Sequence, residues 1–298
     1  MPNKIRFAVA LLVVGLAAIC ASAQAPTLRI QTDDPNLPSD LYYGNVKVKP
    51  LRLRPGTNQP VTIDDNDFMV QQQYIDFLNR MPDSFGFPIW LSTLSNCAAG
   101  DITCDRVHVS EQFVRSQEFQ QRGYFTFRFY PVSFPGTAGS DPTGFGRKPS
   151  FAEFLPDLRS ISGFLDANQL EAAKVAFVNG FMARPAFVAR YNSLNNTQYV
   201  DTLLNTAAVT LSQRQSLIDG LNNSTLTRGQ VLRQIAESNE VYAKYYNESI
   251  VVMQYFGYLR RDPDGSYFIW LNQLDANPSD SRGMVSGYFN STEYRQRF

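Results

Sequence analysis

Carboxylates at matched positions are the first residues in this chain to weigh for chemistry. Glu118 and Glu293 lie in two similar stretches, and Asp83 and Asp264 lie in two matching turns. A glycosidase works with two carboxylates about 5–10 Å apart across one cleft. Matched positions in separate repeats point elsewhere, because each copy then serves its own unit. The expectation is therefore structural, with the Asp residues capping helices and the Glu residues pairing with Arg. His108 is the single histidine of the chain, so any Ser-His-Asp or Cys-His arrangement would depend on it alone. No G-x-S-x-G, H-E-x-x-H or P-loop sequence occurs. Asp262-Pro263-Asp264-Gly265-Ser266 begins like a calcium loop, but its glycine comes two positions early and Gln273 stands where the twelfth-position Glu belongs. No catalytic residue, cofactor or metal site is expected, and a glycan-processing hydrolase using paired carboxylates is the alternative.

The matched carboxylates belong to a longer repeat. Tyr74-x-x-Phe77-Leu78-x-Arg80-x-Pro82-Asp83 is followed by Trp90-Leu91-x-x-Leu94. Tyr255-x-x-Tyr258-Leu259-x-Arg261-x-Pro263-Asp264 is followed by Trp270-Leu271-x-x-Leu274. Apolar residues on both sides of each turn fall at helical spacing, which predicts helix, R-x-P-D turn, helix. In this reading Arg80 and Arg261 tie the two helices of their units. Pro82 and Pro263 stop the first helix, and Asp83 and Asp264 cap or lead into the second. Trp90 and Trp270 are expected in the repeat core, with Phe119 and Tyr294 of the closing segments Ser116–Arg122 and Ser291–Arg297.

Two fainter units lie between. Arg147-Lys148-Pro149-Ser150 precedes Phe151, Phe154, Leu155 and Leu158, with Arg184-Pro185-Ala186-Phe187 as a closing helix. Tyr199, Val200, Leu203 and Leu204 open the next, with Ser212 as a cap and Ser238-x-Glu240-x-Tyr242 closing it. The expected fold is all-α, an array of about four helix-turn-helix units spanning about 66–122, 123–191, 196–247 and 248–298 within a domain of residues 63–298. Residues 131–146, rich in Gly and Pro, read as a loop, and the aromatic-rich stretch from Phe125 to Phe151 is where contacts with a partner are expected first.

Residues 1–23 read as a signal peptide. Lys4 and Arg6 precede the apolar run Phe7–Cys20, and Ala21-Ser22-Ala23 forms a small-residue cleavage site. Export to the periplasm or exterior follows, with no membrane span in the mature chain. Residues 24–62 form an extended Pro-rich arm with β-type scraps at Leu28-Arg29-Ile30 and Val46-Lys47-Val48. Cys97 and Cys104 read as one local disulfide in an oxidising compartment. Removing Lys4 and Arg6 from 27 basic residues leaves 25 against 27 acidic, about −2, so nucleic acid is not an expected partner.

The run Tyr74–Asp83 with Trp90, Cys97, Cys104 and Ser116-x-Glu118-Phe119, together with Met253–Asp264 and Glu293–Phe298, resembles the bacterial family called domain of unknown function 4214. The resemblance covers about residues 66–298 and departs from the usual pattern at Ser84-Phe85-Gly86-Phe87-Pro88. It implies an exported or surface-associated all-helical protein of the kind found beside adhesin or calcium-repeat modules. The R-x-P-D turn is distantly similar to that of phycobilisome linker domains, which are helical protein-binding modules. The family supplies no catalytic residues. The expected function is a non-enzymatic structural or binding module of the bacterial envelope or surface, presenting a helical repeat surface to an envelope protein or polysaccharide.

Overall fold

A computed structural model describes residues 28–31, 40–43, 45–47, 59, 61–136 and 147–298. The proposed signal peptide, most of the Pro-rich arm and residues 137–146 lie outside the described residues. Within the arm, β1 (Leu28–Gln31), β2 (Asp40–Tyr43) and β3 (Val46–Lys47) form an antiparallel sheet in that order, with Leu28 opposite Tyr43 and Tyr42 opposite Lys47. The arm is thus not irregular throughout, because its β-type scraps find one another.

Beyond the arm the fold is all-α. The first helices are α1 (Asn66–Leu78), α2 (Gly86–Ser95), α3 (Arg106–Arg115) and α4 (Gln117–Phe119). A π-helical turn, Gln120–Tyr124, joins α4 to α5 (Phe125–Ser133) in one continuous helix. Then come α6 (Phe151–Ser160), α7 (Ala167–Met182), α8 (Pro185–Tyr191), α9 (Asn196–Ala207), α10 (Arg214–Asn222) and α11 (Arg228–Ala236). Helix α12 (Asn239–Gln254) runs into a second π-helical turn, Tyr255–Leu259, and α13 (Tyr267–Ala276), α14 (Arg282–Phe289) and α15 (Thr292–Arg295) complete the chain. The unit boundaries at 122/123 and 247/248 therefore fall inside continuous helices.

Short polar side chains start many of these helices. Asp105 accepts from the His108 amide, Ser116 from Phe119, Ser238 from Val241 and Ser291 from Tyr294. Ser150 with Glu153, Asp166 with Gln169, Asn195 with Gln198 and Thr227 with Gln230 form reciprocal capping boxes. Each satisfies amides that a helix start leaves orphaned. Ser212 does not cap α10; the helix begins at Arg214 and the Ser212 hydroxyl bonds the Gln213 side chain.

Helix α5 is the hub. Every residue from Phe125 to Ser133 is buried, and the helix packs against α6, α9, α11 and α12. A helix covered on all sides shows no apolar stripe, and Pro131 sits inside it. Phe125–Ser133 is therefore core helix and not an exposed loop. At its end the Arg147 amide donates to the Phe134 carbonyl at 2.8 Å.

The first and last helical segments described also meet. Helix α1 packs against the second π-helical turn, and α3 against α14. From Phe68 to Leu78 every residue of α1 except Gln71 is buried. The single apolar stripe expected of α1 thus understates its burial. Its polar positions Gln73 and Asp76 face Tyr294, Arg260 and Arg297 of the C-terminal segment, not water.

Candidate functional site

The two R-x-P-D turns have the same local geometry. Helix α1 ends at Asn79, in the left-handed conformation with φ 50°, and the second π-helical turn ends at Arg260 with φ 56°. The chain has therefore left the helix before it reaches Pro82 or Pro263. The left-handed residue is the stop, and each proline only prevents resumption.

Arg80 then reaches across its unit. Its Nε donates to Glu118 Oε1 at 2.7 Å and its Nη2 to Glu118 Oε2 at 2.6 Å. Its Nη1 donates to the Met81 carbonyl at 2.9 Å, and Asp83 lies 3.1 Å away. Arg261 repeats the pattern: Nε to Glu293 Oε1 at 2.7 Å, Nη2 to Glu293 Oε2 at 3.1 Å, Nη1 to the Asp262 carbonyl at 3.1 Å and Nη2 to Asp264 at 2.9 Å. Each guanidinium lies over a tyrosine ring, Arg80 over Tyr74 at 4.8 Å and Arg261 over Tyr255 at 5.4 Å. Bidentate arginine–carboxylate pairs fix orientation as well as charge.

The electrostatics at these turns favour ionised carboxylates. Burial pushes the Asp83 carboxyl up, but amides of Gly86 and Phe85 and the Arg80 guanidinium bring it below its ordinary value. Asp264 is likewise lowered: burial opposes the shift, while the Ser266 amide, Tyr255 and Arg261 outweigh it. Burial, with neighbouring carboxylate charge, pushes the hydroxyls of Tyr74 and Tyr255 up to about 12. A general acid at neutral pH needs a raised carboxyl pKa, and both aspartates go the other way. Glu118 is shared by Arg80 and Arg122, whereas Glu293 bonds Arg261. The two glutamates share none of these arginines, and the arrangement joins helices within units.

Among the remaining singled-out residues, Cys97 and Cys104 form a disulfide that closes the link between α2 and α3. Phe119 and Tyr294 are fully buried. Trp90 and Trp270 are only partly buried, edging against Phe113 at 5.7 Å and Tyr288 at 6.1 Å. They border the core, because α2 and α13 lie on its outside. The residue before each tryptophan stands out, Ile89 at 47% exposure and Ile269 at 66%. Among the described residues no group of His, Cys, Asp or Glu could hold a metal ion, and no helix is long and apolar enough to cross a membrane.

The turn at Arg147 is built differently. Arg147 bonds Glu153 in the first turn of α6 at 2.9 Å, so it does not reach a closing helix. There the cross-link runs from Arg184, just before α8, to Asp157 of α6 and the Tyr130 hydroxyl.

Sequence reasoning missed a buried knot on Asp76, whose side chain is fully covered. Arg260 and Arg297 each donate to its Oδ1 at 2.8 Å, and the Tyr294 hydroxyl donates to Oδ2 at 3.0 Å. The doubled arginine Arg260-Arg261 was the available signal: one points into its own turn, the other across to α1. Comparison with known proteins returns no matching family model, no matching curated protein and no matching solved structure.

Proposed function

We propose that this chain is an exported, non-enzymatic structural or binding module of the bacterial envelope or surface, built from about four helical units like the family it resembles. It engages envelope protein or polysaccharide through its outer helices. The observation that carries this reading is the pair of matched outer faces, Ile89–Trp90 on α2 and Ile269–Trp270 on α13. Each stands beside a turn whose carboxylates are occupied by arginine. Clamped turns give stiffness, and exposed apolar groups beside partly buried tryptophans on a stiff support can anchor an interface. The Cys97–Cys104 disulfide supports the exported setting, because such bonds persist in oxidising compartments. The recurrence of the Arg–Glu clamp, the left-handed stop and the serine cap at both ends supports the repeat reading.

Incubation of purified protein with isolated envelope polysaccharide and with peptidoglycan tests it. The expected result is retention of the protein with no change in polymer length. Polymer cleavage that is abolished by Glu118→Gln or Glu293→Gln would overturn the reading in favour of a hydrolase.

A further inference from the structure

Arg128 lies near the middle of α5 at 6% exposure, with its Nε buried and without a hydrogen-bond partner. No carboxylate forms an ion pair with it among the described residues. Its guanidinium is instead packed over the rings of Tyr124 at 4.8 Å and Tyr242 at 5.4 Å. Burial lowers its pKa, opposed by the tyrosines and by Glu237 at a distance. Arginine nonetheless stays protonated in proteins. A buried charge without a partner is costly, and apolar replacements of similar volume are often better tolerated. A guanidinium with an unpaired Nε and no carboxylate beside it, at the hub of the fold, is suited to an anionic occupant.

The surroundings fix the charge of that occupant. Lys174 of α7 lies over the Phe125 ring at 4.6 Å and interacts electrostatically with Arg128. Arg233 of α11 takes up both nearby carboxylates, Glu171 and Glu237. Three cations against two carboxylates leave one positive charge, which suits a monoanion better than a phosphate dianion. The approach fixes its shape. Tyr242 is 38% exposed and stacks with Tyr246 at 5.7 Å, and its hydroxyl donates to Gln120 Oε1 at 2.9 Å. A flat aromatic pair with hydrogen-bonding groups at its edge suits the apolar face and hydroxyls of a pyranose ring. A planar carboxylate matches the guanidinium fork.

We propose that Arg128, with Tyr242 and Lys174, binds the carboxylate of a uronic-acid residue in an acidic polysaccharide. This rests on the proposed binding function only in taking a polymer as the ligand.

Titration calorimetry with hexagalacturonate, neutral maltohexaose and hexaglutamate tests the site. Hexagalacturonate is expected to bind, with maltohexaose silent and hexaglutamate weaker. Arg128→Met removes a charge-assisted hydrogen bond and should weaken uronate binding about tenfold or more. Tyr242→Ala, at a partly exposed ring, should weaken it as well, and Lys174→Met less so. Uronate binding unchanged in Arg128→Met or in Tyr242→Ala would overturn the proposal. So would absence of uronate binding, or hexaglutamate binding as tightly as the uronate. If uronate fails while envelope polymer is still retained, only this site falls and the broader reading stands.

Discussion

The guanidinium of Arg297 donates to Asp76 Oδ1 at 2.8 Å, fastening the segment after α15 to α1. Arg260 donates to the same oxygen, and the Asp76 side chain has no exposed surface. Removing one partner from a buried charge network leaves the others uncompensated. Asp76→Ala should therefore cost about 3–5 kcal/mol, read as a lowered urea midpoint. A loss below about 1 kcal/mol, the size typical of surface pairs, would show that α1 and the C-terminal segment are not held by this knot.

Arg80 and Arg261 make matching bonds in unequal surroundings, with side chains 9% and 36% exposed. Solvent screens the second pair more than the first. Arg80→Met should cost roughly 1.5–3 kcal/mol, because Glu118 keeps Arg122, and Arg261→Met about 1 kcal/mol or less. Equal losses in urea denaturation would mean that burial does not set the strength of these clamps.

Acid should weaken the fold through carboxylates held below their ordinary values. Burial raises Asp83, Asp105 and Glu153, but backbone amides and the arginines Arg80, Arg282 and Arg147 outweigh it, so all three are lowered. Their ordinary values are 3.8 for the aspartates and 4.5 for the glutamate. A group with a depressed folded value contributes fully above its unfolded value and loses that contribution as pH falls through the folded one. The urea midpoint should be steady from about pH 7 to 5 and fall below about pH 4. A midpoint that rises on acidification would contradict these assignments.

Gly257 lies in the second π-helical turn, where a Cβ would come within 2.6 Å of the Phe77 ring. That ring is buried and set edge-on to Tyr258 at 5.0 Å. Gly257→Ala should therefore destabilise by about 1–3 kcal/mol, the usual cost of overpacking. An unchanged melting temperature would show that α1 can shift away without cost.

Local features were legible in the sequence, and distant partners were not. The Arg80 and Arg261 turns could be read because arginine, proline and aspartate lie within four positions, and the helices around them have a clear period. The disulfide was legible because seven positions separate its cysteines. The burial of α5 was hidden: Pro131 and the Gly- and Pro-rich residues after it imitate a loop, and burial on all sides erases the period. The Asp76 knot joins residues more than a hundred positions apart, as does the contact of Arg128 with Tyr242, and no local pattern carries either. Trp90 and Trp270 had the spacing of core residues, and spacing alone does not separate a core from its rim.

The central claim is that the matched faces at Ile89 and Ile269 are contact surfaces of a binding module. Equilibrium co-sedimentation with purified envelope fragments, comparing the native chain with the double variant Ile89→Asp/Ile269→Asp, tests it most directly. Both side chains are exposed, so the variant should melt with the native protein, while its affinity for the fragments falls about tenfold or more, as for the loss of an interface anchor. Equal co-sedimentation of the two proteins would contradict the claim.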